Sequence, residues 1–339
     1  MKTDKMTAEL LRWFAANQRD LPWRRTKEPY LIWISEIMAQ QTRIAALLPY
    51  YERFVARFPD VFALARAGES DVLKCWEGLG YYARARLLHR AAQAVADEHC
   101  GVFPKSAAEL KKLPGIGEYT AGAIASICYG EKVPAVDGNV LRVFARLRND
   151  EADIALMETR KALTVFVSGI MPKDAGAFNQ AAMELGALIC VPKNPHCAEC
   201  PVSAFCEAKR VGRETVLPIK AKKKPRKILD LTVLLVVNDD GEILVRQRTE
   251  RLLHNLWEFV LAEGQSAEEI LRDLHLNCTE ITALGEAVHV FTHLEWHMTG
   301  FRCCVHDKVA PEGYQFVPIP VLQALALPSA LAYFTGMIK

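Results

Sequence analysis

The chain changes its hydrophobic period part-way along. From residue 7 to about 210, apolar positions recur every three to four residues, the spacing of helices that bury one face. Past residue 228 they alternate or run together, as strands do. A first helix is expected to open at Thr7 with Leu10, Leu11 and Phe14 on its apolar face, and a second carries Tyr30, Trp33, Ile34, Ile37 and Met38. Ser70 opens a further pattern, Tyr81 to His99 reads as one helix stopped by Gly101, and Ser106 with Glu109 forms a capping box before a short helix to Leu113. Val140 to Leu147 and Lys161 to Ile170 keep the period. Beyond the change, LDLTVLLVV and EILVRQR flank Asn238-Asp239-Asp240-Gly241 as a hairpin. AVHVFTHLEWHMTGFRCCV reads as a strand pair, and a last helix is expected near 319–334.

This pattern sets a domain plan: an all-α domain over 1–211, a basic linker over 212–228 containing KAKKKPRK, and a smaller α+β domain over 229–339. No run of eighteen apolar residues marks a membrane span, and the N-terminal segment is too polar for a signal peptide. The expectation is a cytoplasmic protein without membrane contact. Net charge is only +2, so a nucleic-acid site must be a local patch.

Six of the ten cysteines are scattered in mostly apolar surroundings and read as reduced core residues. The other four, Cys190, Cys197, Cys200 and Cys206, form C-x6-C-x2-C-x5-C. Thiolates so close in sequence converge on one centre, zinc or an iron–sulfur cluster, and the spacing alone leaves both open. LPGIGEYTAGAIASICYG, residues 113–130, is a short helix, a Pro-Gly-x-Gly turn and a second helix rich in small residues. Gly115 and Gly117 there allow backbone N–H groups at a helix start to approach a phosphate. In VPAVDGNV, residues 133–140, Asp137 stands just before an amphipathic run and reads as its cap.

LPGIG, then VPAVDGNV, then the cysteine motif, in this order, resemble the helix-hairpin-helix DNA glycosylases that carry a 4Fe-4S cluster. The resemblance implies an all-α helix-hairpin-helix glycosylase domain, with its hairpin near 106–130 and an iron–sulfur loop at 190–206, followed by a smaller α+β Nudix-like domain. It also favours the cluster over zinc. Within the family, the endonuclease III branch has a lysine nucleophile two residues after the second hairpin glycine, where this chain has Tyr119. LPWRRTKEPYLIWISEIMAQQT, residues 21–42, is similar to the matching segment of the adenine-specific branch and contains Glu36. In the tail, LLHNLWEFV (252–260) and FTH (291–293) fall where that branch reads 8-oxoguanine. The tail lacks R-E-x-x-E-E-x-G after 258, so it is expected to bind no catalytic metal and to hydrolyse no nucleotide.

The resemblance therefore implies a monofunctional base-excision repair enzyme, a nucleoid-associated monomer. It would hydrolyse the N-glycosidic bond of adenine opposite 8-oxoguanine, or opposite guanine, in double-stranded DNA. Such chemistry needs two carboxylates tuned in opposite directions. Glu36, among Trp33, Ile34, Ile37 and Met38, is expected to stay protonated and act as the acid; Asp137 is expected to stay ionised and stabilise the sugar cation. By resemblance, Tyr119, Asn139 and Arg24 complete the catalytic group, with Arg19 and Trp23 at the entrance to the adenine pocket. Gln41 and Tyr81 match wedges in the duplex, Gly115 and Gly117 the phosphate turn, and Lys193 adds positive charge to the cysteine loop. Thr292, where a serine is usual, and His293 match readers of the oxidised base. Arg84, Arg86 and Arg90 are expected to face phosphate or solvent, and Ala39, where a leucine is usual, suggests a looser pocket.

Overall fold

The computed structural model describes residues 2–221 and 225–338. Two units divide the chain. The first holds the chain up to residue 51, residues 55–65, and residues from 90 to the linker; the second holds 52–54, 66–89 and the chain beyond the linker. Residues 66–89, read from the sequence as part of the helical domain, thus group with the C-terminal part of the chain. Residues 222–224 of the basic linker lie outside the described residues.

The periodic apolar positions of the first unit become packed helices. Leu10 and Phe14 of Lys2–Asn17 meet Phe144 of Gly138–Arg148, Leu163 of Met157–Ile170, and Phe178 and Leu185 of Ala175–Leu188 in one core. Each such side chain contributes roughly 1.5–3 kcal/mol by leaving water. Pro29–Ala39 starts on a proline, whose fixed φ suits a first helical position. Tyr30, Ile32, Trp33, Ile34, Ser35, Ile37 and Met38 of this helix are buried, so Glu36 is one carboxylate set in an apolar element.

Several boundaries differ from the sequence expectation. Lys2–Asn17 begins before Thr7, whose hydroxyl donates back to the Thr3 and Asp4 carbonyls instead of capping. Glu69–Trp76 has Gly68 at its cap and so begins one residue ahead of Ser70. Tyr81 lies outside helix Ala83–Glu98, with φ 50°. Ser106 does accept from the Glu109 N–H at 3.3 Å, but the Glu109 carboxylate turns to Lys112, and the helix ends at Leu110.

The second unit is built on a sheet of β1 (Lys227–Asn238), β2 (Ile243–Gln247), β3 (Trp257–Glu258), β4 (Val260–Glu263), β5 (Cys278–Val290), β6 (Leu294–Val305) and β7 (Gln315–Val317). Its order is β3-β2-β1-β6-β5, with β4 also on β1 and β7 on β2. The β1–β2 and β5–β6 antiparallel pairs fall where the sequence placed them. What the pattern did not announce is that β1 runs parallel to β6 along its whole length, from Lys227 beside Leu294 to Asn238 beside Val305. Both faces of β1 are covered: Val233 and Leu235 face the C-terminal segments, Leu234 and Val236 face helix Ala267–Asp273. This is why LTVLLVV is a continuous apolar run, not an alternating one. The single helix expected near 319–334 is two, Ile319–Ala324 and Ala332–Thr335, separated by Pro328 and a short turn.

Candidate active site

A cleft of about 1040 Å³ opens in the first unit. Its wall includes Arg19, Trp23, Arg24, Glu36, Gln41, Gly115, Gly117, Tyr119, Asp137 and Asn139, ten of the expected site residues brought together from four stretches of chain. Lys193 is exposed on the cysteine loop and does not line the cleft. Tyr81, Thr292 and His293 belong to the second unit, where all three are exposed.

Glu36 reaches the cleft from Pro29–Ala39, and the Tyr119 hydroxyl donates to its Oε2 at 2.6 Å. Burial pushes the Glu36 carboxyl up to about 7. The Tyr119 hydroxyl opposes that rise, the nearby Asp137 adds to it, and the Arg24 charge opposes it. Tyr119 itself is raised well above its ordinary value by burial and by Glu36 and Asp137, so its proton stays on. The same phenol lies 3.1 Å from the Met183 sulfur.

Asp137 caps Gly138–Arg148, as its place in the sequence suggested. Its Oδ1 accepts from the Val140 N–H at 2.8 Å and its Oδ2 from the Asn139 amide at 2.8 Å. Burial still raises its pKa above the ordinary value, against Val140, Asn139 and Arg142, so the amide groups temper the shift without reversing it. The Asn139 oxygen accepts from Arg142 at 2.9 Å, and Arg142 also donates to the carbonyls of Gly186 and Cys190.

The strand-like approach to Asp137 is held by a residue the sequence reading missed. Buried Asn179 accepts from the Ala135 N–H and donates to the Val133 carbonyl and the Ser126 hydroxyl. Two glycines make room. A Cβ at Gly122 would stand 2.3 Å from the Pro134 carbonyl oxygen, and one at Gly186 would stand 2.6 Å from the Asn139 Cβ.

Glu184 was missed too. It is 1% exposed and binds both entrance arginines: Arg24 at 2.8 Å through two bonds, and Arg19 through its guanidinium and its backbone N–H. Burial opposes ionisation, yet Arg24 and Arg19 hold Glu184 down to about 2. Arg24 is therefore anchored by Glu184 and touches Glu36 only through its field. A lone acid in AGAFNQAAMELGAL was the available signal, of the same kind as Glu36 in its own helix.

At the hairpin, Gly115 takes φ 74° and Gly117 begins helix Glu118–Tyr129 with no side-chain cap. That helix start leaves amide groups of the kind that bind phosphate.

Cys190, Cys197, Cys200 and Cys206 line one small cavity beside helix Gly138–Arg148. Burial above all, then the neighbouring thiols, push the Cys200 thiol up to about 12, against the Val202 N–H. Arg146, 1% exposed, donates to the Cys190 sulfur at 3.3 Å and to the Cys190, Val191 and Pro192 carbonyls. This donor set fits a 4Fe-4S cluster.

Residues 34–168 match the HhH-GPD superfamily of base excision DNA repair proteins, 190–206 the iron-sulfur binding domain of endonuclease III, and 232–334 the NUDIX domain. The chain is 36% identical to an adenine DNA glycosylase of Arabidopsis thaliana over 86% of its own length and 56% of that protein's. It is 33% identical to an adenine DNA glycosylase of Buchnera aphidicola subsp. Acyrthosiphon pisum, covering 85% of this chain and 83% of that one. The chain thus spans little more than half of the plant relative and most of the bacterial one. A solved thermostable thymine-DNA glycosylase superposes with a TM-score of 0.56 at 27% identity, covering 62% of this chain and 97% of that one.

Proposed function

We propose a function from one premise: this chain belongs to the adenine DNA glycosylase family. It removes adenine from double-stranded DNA where adenine lies opposite 8-oxoguanine or guanine, as a monomer, in the cytoplasm. The observation that carries this reading is the pairing in one cleft of Glu36, raised to about 7, with Asp137 at a helix start.

The adenine leaves the stack to reach the cleft. Protonated Glu36 gives its proton to a ring nitrogen, which turns adenine into a neutral leaving group. As the glycosidic bond breaks, positive charge builds on the sugar. The Asp137 carboxylate, oriented by Asn139 and Val140, offsets that charge. Glu36, now ionised, accepts a proton from the attacking water. Tyr119 holds the Glu36 carboxylate in place throughout. The described lining of the cleft includes no lysine, which supports hydrolysis without an imine and hence a monofunctional enzyme.

Cys190, Cys197, Cys200 and Cys206 would hold the 4Fe-4S cluster, which when bound supplies iron–thiolate bonds that fix the loop beside Arg146. In the second unit, the Tyr81 hydroxyl and Thr292 Oγ1 stand 3.1 Å apart, and this pair is the proposed reader of the oxidised base.

The test is base release from duplexes carrying A:8-oxoG, A:G, thymine glycol or U:G. Adenine release from the first two is expected. Release of thymine glycol without adenine would sink the reading.

A further inference from the structure

The segment Gly78-Leu79-Gly80-Tyr81 has three left-handed residues, with φ 94° at Gly78, 70° at Gly80 and 50° at Tyr81. Tyrosine enters that region only when its surroundings hold it there. The Tyr81 ring is 48% exposed, so burial does not hold it. Hydrogen bonds do, and Arg84 makes three of them. Its guanidinium donates to the Gly80 carbonyl at 3.2 Å and the Leu79 carbonyl at 3.4 Å, and its own N–H donates to the Tyr81 carbonyl at 2.8 Å. The same guanidinium lies over the Tyr81 ring at 5.5 Å and the Trp76 ring at 5.4 Å. Trp76 adds a bond from its indole N–H to the Gly80 carbonyl at 3.1 Å. Arg84 is thus engaged with the turn, and the sequence expectation that it faces phosphate or solvent is corrected. A planar group donates from its edge to the carbonyls while its face lies over the rings, an arrangement the compact ammonium of lysine does not reproduce.

We propose that Arg84 is a positioning residue for lesion readout: it fixes the Gly78–Tyr81 turn so that the Tyr81 phenol and the Thr292 hydroxyl stand together as one site for the oxidised purine. The inference rests on the proposed function. Guanine presents an acceptor at N7, whereas 8-oxoguanine carries a hydrogen there and an added carbonyl. A pair of hydroxyls 3.1 Å apart has both an acceptor and a donor to offer such an edge. If Arg84 lets the turn relax, the pair separates, and discrimination goes before excision does.

The experiment compares single-turnover adenine excision from A:8-oxoG and A:G duplexes for the wild type, Arg84→Met, Arg84→Lys, Tyr81→Ala, and Tyr81→Ala with Arg84→Met. Wild-type preference for A:8-oxoG tests the underlying function; its absence would overturn that function, and this inference with it. Given the preference, Arg84→Met is expected to cut the A:8-oxoG to A:G rate ratio by roughly tenfold, with Arg84→Lys recovering little of it. On the Tyr81→Ala background the same change should move the ratio by less than about twofold, because the two residues act through one another. The salt dependence of DNA binding should not change, whereas loss of a phosphate contact would lower its slope by about one. Equal loss on both duplexes, full additivity with Tyr81→Ala, or a lowered salt slope would each overturn the assignment. Thermal melting of Arg84→Lys and Arg84→Met separates these results from misfolding.

Discussion

The Tyr119 phenol donates to Glu36 Oε2 across 2.6 Å, and it is the strongest influence opposing the burial that raises Glu36. A hydrogen bond to a charged acceptor stabilises the ionised form. Tyr119→Phe therefore removes a restraint, and the Glu36 carboxyl rises further above 7. The alkaline limb of the excision profile is expected to move up by on the order of one pH unit. Single-turnover rates across pH check this, and an unmoved limb would mean that Glu36 is not the titrating acid.

Glu36 also sets a stability signature. Its carboxyl lies at about 7 in the fold against an ordinary 4.5, so the folded state holds the proton more tightly. The favourable contribution is full below 4.5 and is lost as pH rises through 7. Glu36→Gln escapes the loss. It should be more stable than the wild type by up to ~3 kcal/mol at pH 8 and similar to it near pH 4, while losing excision. Urea unfolding at the two pH values reads the difference.

Asp137→Asn keeps an acceptor for the Val140 N–H, so the helix start survives. What goes is the charge. Excision is expected to fall by roughly 10³-fold with duplex binding retained. Near-normal excision would leave Asp137 with capping alone.

Glu184→Ala strands two guanidiniums that now share one buried carboxylate. The cost is expected to be about 3–5 kcal/mol, read from the denaturant midpoint. The double change Arg24→Met with Glu184→Met should cost less, because the more deeply buried guanidinium leaves with the carboxylate and only the partly exposed Arg19 is left unpaired. A larger cost for the double change would contradict the ion-pair account.

Removing the cluster from the cysteine loop should expose residues 190–206 to protease and abolish visible absorption together. Cys200→Ser, affecting the deepest of the pKa-shifted thiols in that cavity, should do the same. A colourless protein with an intact, protected loop would count against the cluster as its organiser.

The roles expected of Glu36 and Asp137 came from the resemblance of their segments to the glycosylase family, since an acid in an apolar helix or at a helix start is by itself as readily a solvated or capping residue; only the convergence of the four cysteines was legible from close spacing alone. Asn179 and Glu184 were not, because what makes them matter comes from far along the chain. Glu184 meets Arg19 165 positions away, and Asn179 meets Ala135 across 44. The parallel β1–β6 pairing was hidden for a similar reason: alternation shows which face a strand buries, not which neighbour it takes. Tyr81 was placed in a helix because helical spacing ran on through a turn whose left-handed angles only the folded chain displays.

The bare Cα at Gly186 has a genetic consequence. Adenine left opposite 8-oxoguanine becomes a fixed G-to-T change at the next round of copying. Applied to a glycine codon, that change writes valine, cysteine, tryptophan or a stop. At Gly186 each of these amino acids puts a Cβ 2.6 Å from Asn139, the residue that orients Asp137. If the enzyme excises adenine as proposed, the mutation it prevents elsewhere is one that its own gene tolerates poorly at this codon. A lineage that loses the activity would then raise the rate of the very changes that disable it further.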